Sequence, residues 1–458
     1  MSQPKTIVAV DLGATSGRVA AVDLSASEPS VEVVHRWANW PVTADDGSLR
    51  WDWAMLTGEV QRGLASALGR SPVASIGIDG WGVDYGLIDD TGALLTSPFC
   101  YRDRRTDGWR SVVDRIGREK LYRITGIQLM GINTIFQLAA HLDADAPLLQ
   151  RAHRALLLPD LLVNRLTGWI GVERSNASTT GLLDARTGQW SPELLDDVGV
   201  PAELLPSPVS AAASCVGTWR GVPVHLVGSH DTASAFLGMP GGREPGTVFV
   251  STGTWIIVGV ELPEADTSAA AAAANFSNEA GAFGGVRLLK NVVGFWLLEQ
   301  CRPGWGEPPV ERLFAEASGV AVADAPLFDA RDERFVSPDD MEAEIREATG
   351  LGPGAERAVV VRSIVESMAA GVAAVVDELR ALGVVPPRRL GVTGGGARAE
   401  LLCQALERHC GLPVLVGSTE ATALGNAVAQ GVALGHFADP ADGRDWIAHA
   451  TVERVYGD

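Results

Sequence analysis

Asp11 closes the β-branched, apolar run Thr6–Val10 and opens the small-residue stretch Asp11-Leu-Gly-Ala-Thr-Ser-Gly17. A carboxylate so placed can hold Mg²⁺, directly or through water, because that hard cation takes oxygen ligands and keeps several waters. Ala14, Thr15, Ser16, Gly17 and Arg18 add consecutive N–H groups, two hydroxyls and a guanidinium, which suit a cluster of anionic oxygens. The same residues would also make an ordinary hairpin turn headed by an Asp, and the turn alone does not choose between the two.

Ser229-His230-Asp231-Thr232 follows the apolar run Val224–Val227. An Asp there suits a general base that takes a hydroxyl proton during phosphoryl transfer. Taken alone, it suits better an N-cap, by Asp or Thr, for a helix through Ala233-Ser-Ala-Phe-Leu237. Gly394-Gly395-Gly396 stands between a strand and a helix pattern, where backbone without Cβ lets a ligand such as adenine or ribose approach, or where the chain simply turns. Ile78–Tyr85 (IDGWGVDY) holds two acids and two aromatics. Carboxylates that accept hydroxyl protons beside an aromatic face are what a sugar asks for; a strand and turn with Trp81 in the core is the alternative. Tyr101-Arg-Asp-Arg-Arg105 reads first as a solvated charged loop.

Around these residues the elements fall in a repeated order. Strand, small-residue turn and strand run from Thr6 to Asp23, and again through Thr247–Val250, Ser251–Thr254 and Trp255–Val260. A P-loop would lead into a helix with G-K-[ST], and a Rossmann fingerprint would carry G-x-G-x-x-G; neither fits. The two hairpins predict a duplicated architecture, with the turn-rich segment 238–246 as the boundary. Thr267–Ala274 is Ala-rich and expected to be a surface loop. Further on, a helix over Ala358–Leu382 is ended by Gly383, a strand covers Arg389–Thr393, a helix runs from about Ala397 to Cys410, a strand covers Val414–Val416 and a helix starts near Glu420. The class is α/β.

The 458 residues can fill two or three domains. A formal net charge of −19 argues against general nucleic-acid binding. Five cysteines without a C-x-x-C read as reduced thiols. The apolar run near the start is too short for a signal peptide, and no stretch is expected to span a bilayer. A cytoplasmic protein is expected.

These segments together resemble the FGGY family of carbohydrate kinases, and within it the branch that acts on L-rhamnulose. Val8–Arg18 (VAVDLGATSGR) is similar to the family's first phosphate motif. Gly77–Tyr85 (GIDGWGVDY) is similar to GIDTWGVDF in that branch, with Gly80 where Thr is usual. Tyr101–Thr106, Leu156–Gly168, Ser175–Thr180, Gly228–Ala235, Ser251–Trp255, Leu289–Leu298 and Thr393–Ala397 follow in the family's order. The resemblance implies an actin-like, ribonuclease-H-like fold of two duplicated domains with a cleft between them. Residues 1–238 would form the sugar and phosphate side, 247–440 the nucleotide side, and 441–458 a tail. It implies ATP-dependent phosphorylation of L-rhamnulose to L-rhamnulose 1-phosphate in L-rhamnose catabolism, with Asp231 as general base and Mg²⁺ near Asp11. Ala14, Thr15, Ser16, Gly17, Arg18, Thr254, Glu299, Gly394 and Gly395 would bind ATP. Gly82, His230, Asp231, Thr232 and Asn291 would contact the sugar. Glu299 stands where the family pattern has Gln, so its carboxylate is expected to face nucleoside or solvent, with Gln300 as a substitute.

Other kinases of the family would keep fold and base while taking L-fuculose, xylulose, ribulose or glycerol. A non-catalytic actin-like sensor of sugar or nucleotide is a different class, which the pairing of Asp11 with Asp231 disfavours, as does the lack of a helix-turn-helix pattern or basic patch. A chaperone-type ATPase would carry a peptide-binding module after the last motif. The expected partners are the ketose and ATP, with no nucleic acid or membrane, in a monomer or homodimer.

Overall fold

The computed structural model describes residues 5–211, 214–242, 244–448 and 454–456. Arg243 of the turn-rich segment, and residues 449–453 and 457–458 of the tail, lie outside the described residues. The chain forms two compact units, neither continuous in sequence. The first gathers Met1–Gly238, Glu261–Leu288 and Thr422–His449; the second gathers Met239–Val260, Leu289–Ala421 and Ala450–Asp458.

The first unit is built on six strands: β1 (Thr6–Leu12), β2 (Ser16–Asp23), β3 (Val31–Ala38), β4 (Val73–Gly80), β5 (Cys215–Trp219) and β6 (Val222–His225), in the order β5-β6-β4-β1-β2-β3. β1 runs antiparallel to β2 and parallel to β4. β1 is apolar from Ile7 to Val10 because both its faces are covered. Val8, Val10 and Leu12 enter a core with Trp51, Leu64 and Ile76. Ile7 and Ala9 point the other way, to Ala423, Leu424, Ala427 and Val428 of the helix Ala421–Ala433. By strand alternation Asp11 follows Ile7 and Ala9 onto that second face. The strands extend further than expected: Asp11 and Leu12 lie within β1 and β2 begins at Ser16, so the turn shrinks to three residues. Gly13 N donates to Ser16 O (3.1 Å), and Asn39 N to Thr15 O (2.9 Å), which closes it.

The second sheet, of seven strands, repeats the plan with β7 (Thr247–Thr252), β8 (Trp255–Leu262), β9 (Val286–Val293), β10 (Arg389–Gly394), β11 (Val414–Val416) and β12 (Arg454–Tyr456), in the order β9-β8-β7-β10-β11-β12, and adds Ser277–Ala280 at the β9 edge. β7 is antiparallel to β8 and parallel to β10. The chain passes between the units within β8 and β9.

Three expectations are corrected here. The Ala-rich stretch is not all loop: Ala269–Ala273 is a helix whose cap, Ser268 Oγ, accepts from Ala271 N at 3.2 Å. Alanine's helix propensity prevails once a cap is present. The helix expected from Ala397 begins at Glu400, after a 3₁₀ turn over Gly395–Arg398, as glycines disfavour the α form. Arg357–Leu382, with 26 residues and a mean hydropathy of 1.8 in its most apolar window, is long and apolar enough to cross a membrane. Its apolarity has another cause, since 78% of that window is buried inside the protein.

Candidate active site

In the first unit the end of β1 sets two carboxylates side by side. Asp11 pairs in register with Arg18 on β2 and with Asp79 on β4. Arg18 donates to Asp11 Oδ2 through Nε (2.8 Å) and Nη2 (2.5 Å). Asp79 is fully buried; Asn426 Nδ2 donates to its Oδ2 (2.5 Å), while Oδ1 has no partner. Burial, then the charge of Asp11, push the Asp79 carboxyl well above the usual range against the pull of Asn426. Gln430 steadies this support, donating to Asn426 Oδ1 (2.6 Å) and Val8 O (3.1 Å).

Asp231 is the first residue of the helix Asp231–Leu237, and His230 holds the N-cap position. The cap alternative therefore places Asp231 one residue too early. Its Oδ1 instead accepts from Thr232 Oγ1 (3.1 Å) and lies 3.6 Å from His230 Nε2. The side chain keeps 28% of its surface open, enough for a ligand to reach. Surrounding protein still pushes its carboxyl upward; His230 opposes this and Asp11 adds to it. The loop before it hangs on Glu173, whose Oε2 accepts from Ser175 N (2.9 Å), Ser229 N (2.9 Å) and Ser229 Oγ (3.0 Å). Ser175 Oγ in turn accepts from His230 N at 3.1 Å.

The segment Ile78–Tyr85 is built differently from the sugar-facing reading. Asp79, Asp84 and Trp81 are all buried. Asp84 accepts from Trp51 Nε1 (2.6 Å), Trp81 Nε1 (3.0 Å), Gln137 Nε2 (3.0 Å) and Tyr101 N (3.2 Å). Burial raises it to about 6, against those hydrogen bonds. It holds a strained turn: Val83 sits at φ 67, unusual for a β-branched residue. Val83 N donates to Thr179 Oγ1 (3.1 Å), and a Cβ on the neighbouring Gly82 would come 2.9 Å from the same oxygen. At Gly80 a Cβ would meet Leu12 Cβ at 2.7 Å and Pro159 Cγ at 3.3 Å, so the position is closed to larger residues with these neighbours. The loop Tyr101–Arg105 is not solvated as expected: Tyr101, Arg102 and Asp103 are buried, and Asp103 Oδ2 accepts from Leu49 N at 2.6 Å. Arg104 stays exposed, while Asp103 anchors the loop to Leu49.

The second unit gathers the other residues. Thr254 O accepts from Gly294 N (3.1 Å) and Trp296 N (3.3 Å), and Gly253 O from Phe295 N (2.9 Å). Gly396 lies against Phe295, where a Cβ would come 2.4 Å from the ring. Gly394 has φ 87, and a Cβ there would meet Thr252 O at 2.2 Å, so only glycine fits. Thr254, Gly394, Gly395 and the short helix Trp296–Cys301 thus share one neighbourhood. Asn291 belongs to β9, three residues before Gly294. Glu299 pairs with Arg302 at 2.5 Å, so its negative charge is matched locally.

Two family models cover most of the chain: the FGGY carbohydrate kinase N-terminal domain matches residues 6–238 and the C-terminal domain residues 248–434. The chain belongs to the FGGY family of carbohydrate kinases. A rhamnulokinase of Pectobacterium carotovorum subsp. carotovorum is 40% identical over 97% of this chain and 91% of its own length. One of Bacteroides thetaiotaomicron is 37% identical over 98% and 95%. Among solved structures, a gluconate kinase from Lactobacillus acidophilus superposes with a TM-score of 0.80 at 15% identity, covering 98% of this chain and 93% of that one. A Plasmodium falciparum glycerol kinase with ADP gives 0.77 at 15% identity, covering 99% and 94%. At such identities the likeness is one of fold, and it agrees with the expected actin-like architecture.

Several supporting residues escaped the sequence reading. Glu279, Arg287, Asn426 and Gln430 lie far along the chain from the residues they support; Glu173 is two residues from Ser175 but 56 from Ser229. The one local signal was the acid and amide character of these residues within otherwise apolar elements, which by itself names no partner.

Proposed function

We propose that this protein transfers the γ-phosphate of ATP to L-rhamnulose, forming L-rhamnulose 1-phosphate. The observation that carries the reading is the partly open Asp231 carboxylate beside His230 and Thr232, in a chain whose relatives at 36–40% identity are rhamnulokinases. Residues 1–238 carry the sugar and transferred phosphate, through Gly82, His230, Asp231 and Thr232 on one hand and Ala14–Arg18 on the other. Residues 247–440 carry the nucleoside, through Thr254, Glu299, Gly394 and Gly395, and add Asn291 to the sugar contacts.

Asp231 takes the sugar hydroxyl proton as the new O–P bond forms. In a loose transition state that proton leaves late, so a modest base suffices. The N–H groups and hydroxyls of Ala14–Arg18 orient the phosphate oxygens. Asp11 and the unpartnered Oδ1 of Asp79 are suited to Mg²⁺, which takes its remaining ligands from phosphates and water. Among the described residues no cluster of three or more His, Cys, Asp or Glu could hold an ion without such help. Bound there with ATP, the cation would neutralise charge on the phosphates.

The test is sugar-dependent ADP release with ATP and Mg²⁺ across L-rhamnulose, L-fuculose, xylulose, ribulose and glycerol, with an EDTA control. The highest kcat/KM is expected for L-rhamnulose, with no turnover in excess EDTA. A higher kcat/KM for another acceptor would reassign the sugar, and ADP release indifferent to every acceptor would remove the kinase reading.

A further inference from the structure

Behind His230 lies a second acid that the family motifs do not include. Glu279, on the strand Ser277–Ala280 of the first unit, is buried. Its Oε2 lies 3.1 Å from His230 Nδ1 and 3.2 Å from Arg287 Nη2. Neither contact has the geometry of a straight hydrogen bond. Arg287, 1% exposed, is fixed by donating from Nε (3.3 Å) and Nη2 (3.1 Å) to Ala280 O. Nη2 also lies 3.3 Å from His230 Nδ1. The far side of the imidazole, Nε2, faces Asp231 Oδ1 at 3.6 Å. Arg287, Glu279, His230 and Asp231 therefore form one line of alternating charge and polarity, all within one unit.

The geometry points to Glu279 as a positioning residue for the general base: with Arg287 it braces the His230 ring, which with Thr232 engages Oδ1 of Asp231 and leaves Oδ2 to take the sugar proton. Two observations support this. Oδ1 carries both the Thr232 hydrogen bond and the imidazole contact, whereas no described residue donates to Oδ2. Glu279 also has the charge to do it: burial alone would raise its carboxyl, but His230 and Arg287 more than offset this and hold it below the usual range. The balance of the step is simple. The sugar O–H bond breaks and its proton goes to Oδ2, the O–P bond forms, and the electron pair of the broken P–O bond leaves on ADP. Glu279 exchanges no proton. An imidazole free to rotate would no longer hold the carboxylate at one angle, and small misplacements of a reacting group cost up to about 100-fold in rate.

The inference rests on the proposed role of Asp231, and the experiment separates the two. Four variants are assayed with L-rhamnulose: Glu279→Gln, Asp231→Asn, both together, and Glu279→Gln with Arg287→Met. Glu279→Gln is expected to lower kcat about 10–100-fold with KM for ATP unchanged. In the Asp231→Asn background it should lower kcat little further, because a brace has nothing left to position. Since Gln leaves Arg287 buried without its counter-charge, the Arg287→Met pair removes both charges at once; it should fold and show the same loss. Unchanged kcat in folded Glu279→Gln, or losses that multiply in the double variant, would overturn the brace. Near-normal turnover in Asp231→Asn would overturn the base assignment instead.

Discussion

β1 meets β4 with Asp11 opposite Asp79 and Leu12 opposite Gly80; β7 meets β10 with Ser251 opposite Thr393 and Thr252 opposite Gly394. The backbone plan is the same, and both parallel pairs end on a glycine packed too closely for a side chain. The difference is charge. Where the first unit sets two carboxylates, the second sets two hydroxyls. A carboxylate pair suits a cation and a proton; hydroxyls and bare glycine backbone suit an electron-rich nucleoside phosphate without repelling it. The two units share one frame and differ in charge at these two register positions.

Buried acids are met in two ways, by neutral donors or by cations, and Glu279 of the first unit is of the second kind. In the first unit, Asp79 and Asp84 are raised by burial and receive hydrogen bonds only from neutral groups. In the second unit, the fully buried Glu366 is met by Arg362 Nε (2.9 Å), Arg408 Nη2 (2.7 Å) and His409 Nε2 (2.8 Å). Burial would raise Glu366, but these partners hold it below its ordinary value.

The largest effect should come from the acidic unit's chemistry. Asp231→Asn is expected to lower kcat by about 10²–10⁴ while KM for ATP and the melting temperature stay near wild type. Steady-state kinetics and thermal unfolding of one preparation check it, and a stable variant with normal turnover would break the division of labour.

Next come the buried acids. Glu366→Gln should destabilise by about 3–5 kcal/mol at neutral pH, because the buried Arg362 is left without its counter-charge. Asp84 should act in the opposite pH sense. Folded protein keeps its proton up to about 6, whereas the unfolded chain releases it near the ordinary aspartate value of 3.8. Its favourable contribution is complete below the lower value and is lost as pH rises through the upper, by about 3 kcal/mol. Glu366, being depressed, contributes above its ordinary value and loses that contribution as pH falls. Denaturant unfolding of wild type, Asp84→Asn and Glu366→Gln at several pH values reads both slopes; equal signs would erase the contrast.

The two terminal glycines should differ in degree. Gly394→Ala must hold φ 87 and force Cβ to within 2.2 Å of backbone oxygen, whereas Gly80→Ala meets a side-chain carbon at 2.7 Å. A backbone strain of about 1–3 kcal/mol is expected to fall on the first alone, so it should melt lower. The smallest effect concerns the hydroxyl frame. Ser251→Asp would place a carboxylate where the first unit has Asp11, and KM for ATP should rise about tenfold, as one repulsion of ~1.4 kcal/mol would produce. Unchanged ATP affinity would show that this register position does not face the nucleotide's phosphates.

Much of this was readable along the chain. Both hairpins, Gly383 and Gly411 as helix ends, and the placement of Asp11 at a strand end follow from periodicity and from turn chemistry, which are local. Strand ends were read short at Leu12 and Thr252 because pairing with a parallel neighbour, not propensity, carries the ladder on. Trp81 and Asp84 were assigned to a sugar face or to the core with no means of choosing, since eight adjacent residues do not reveal that Trp51, Tyr101 and Gln137 close over them. The same holds for Glu279 behind His230 and Asn426 beneath Asp79. Residue types and short spacings determined which groups could do chemistry. Which of them are sealed inside as supports and which stay open was decided by contacts between segments 17 to 347 positions apart, and burial and charge compensation exist only once those segments are packed.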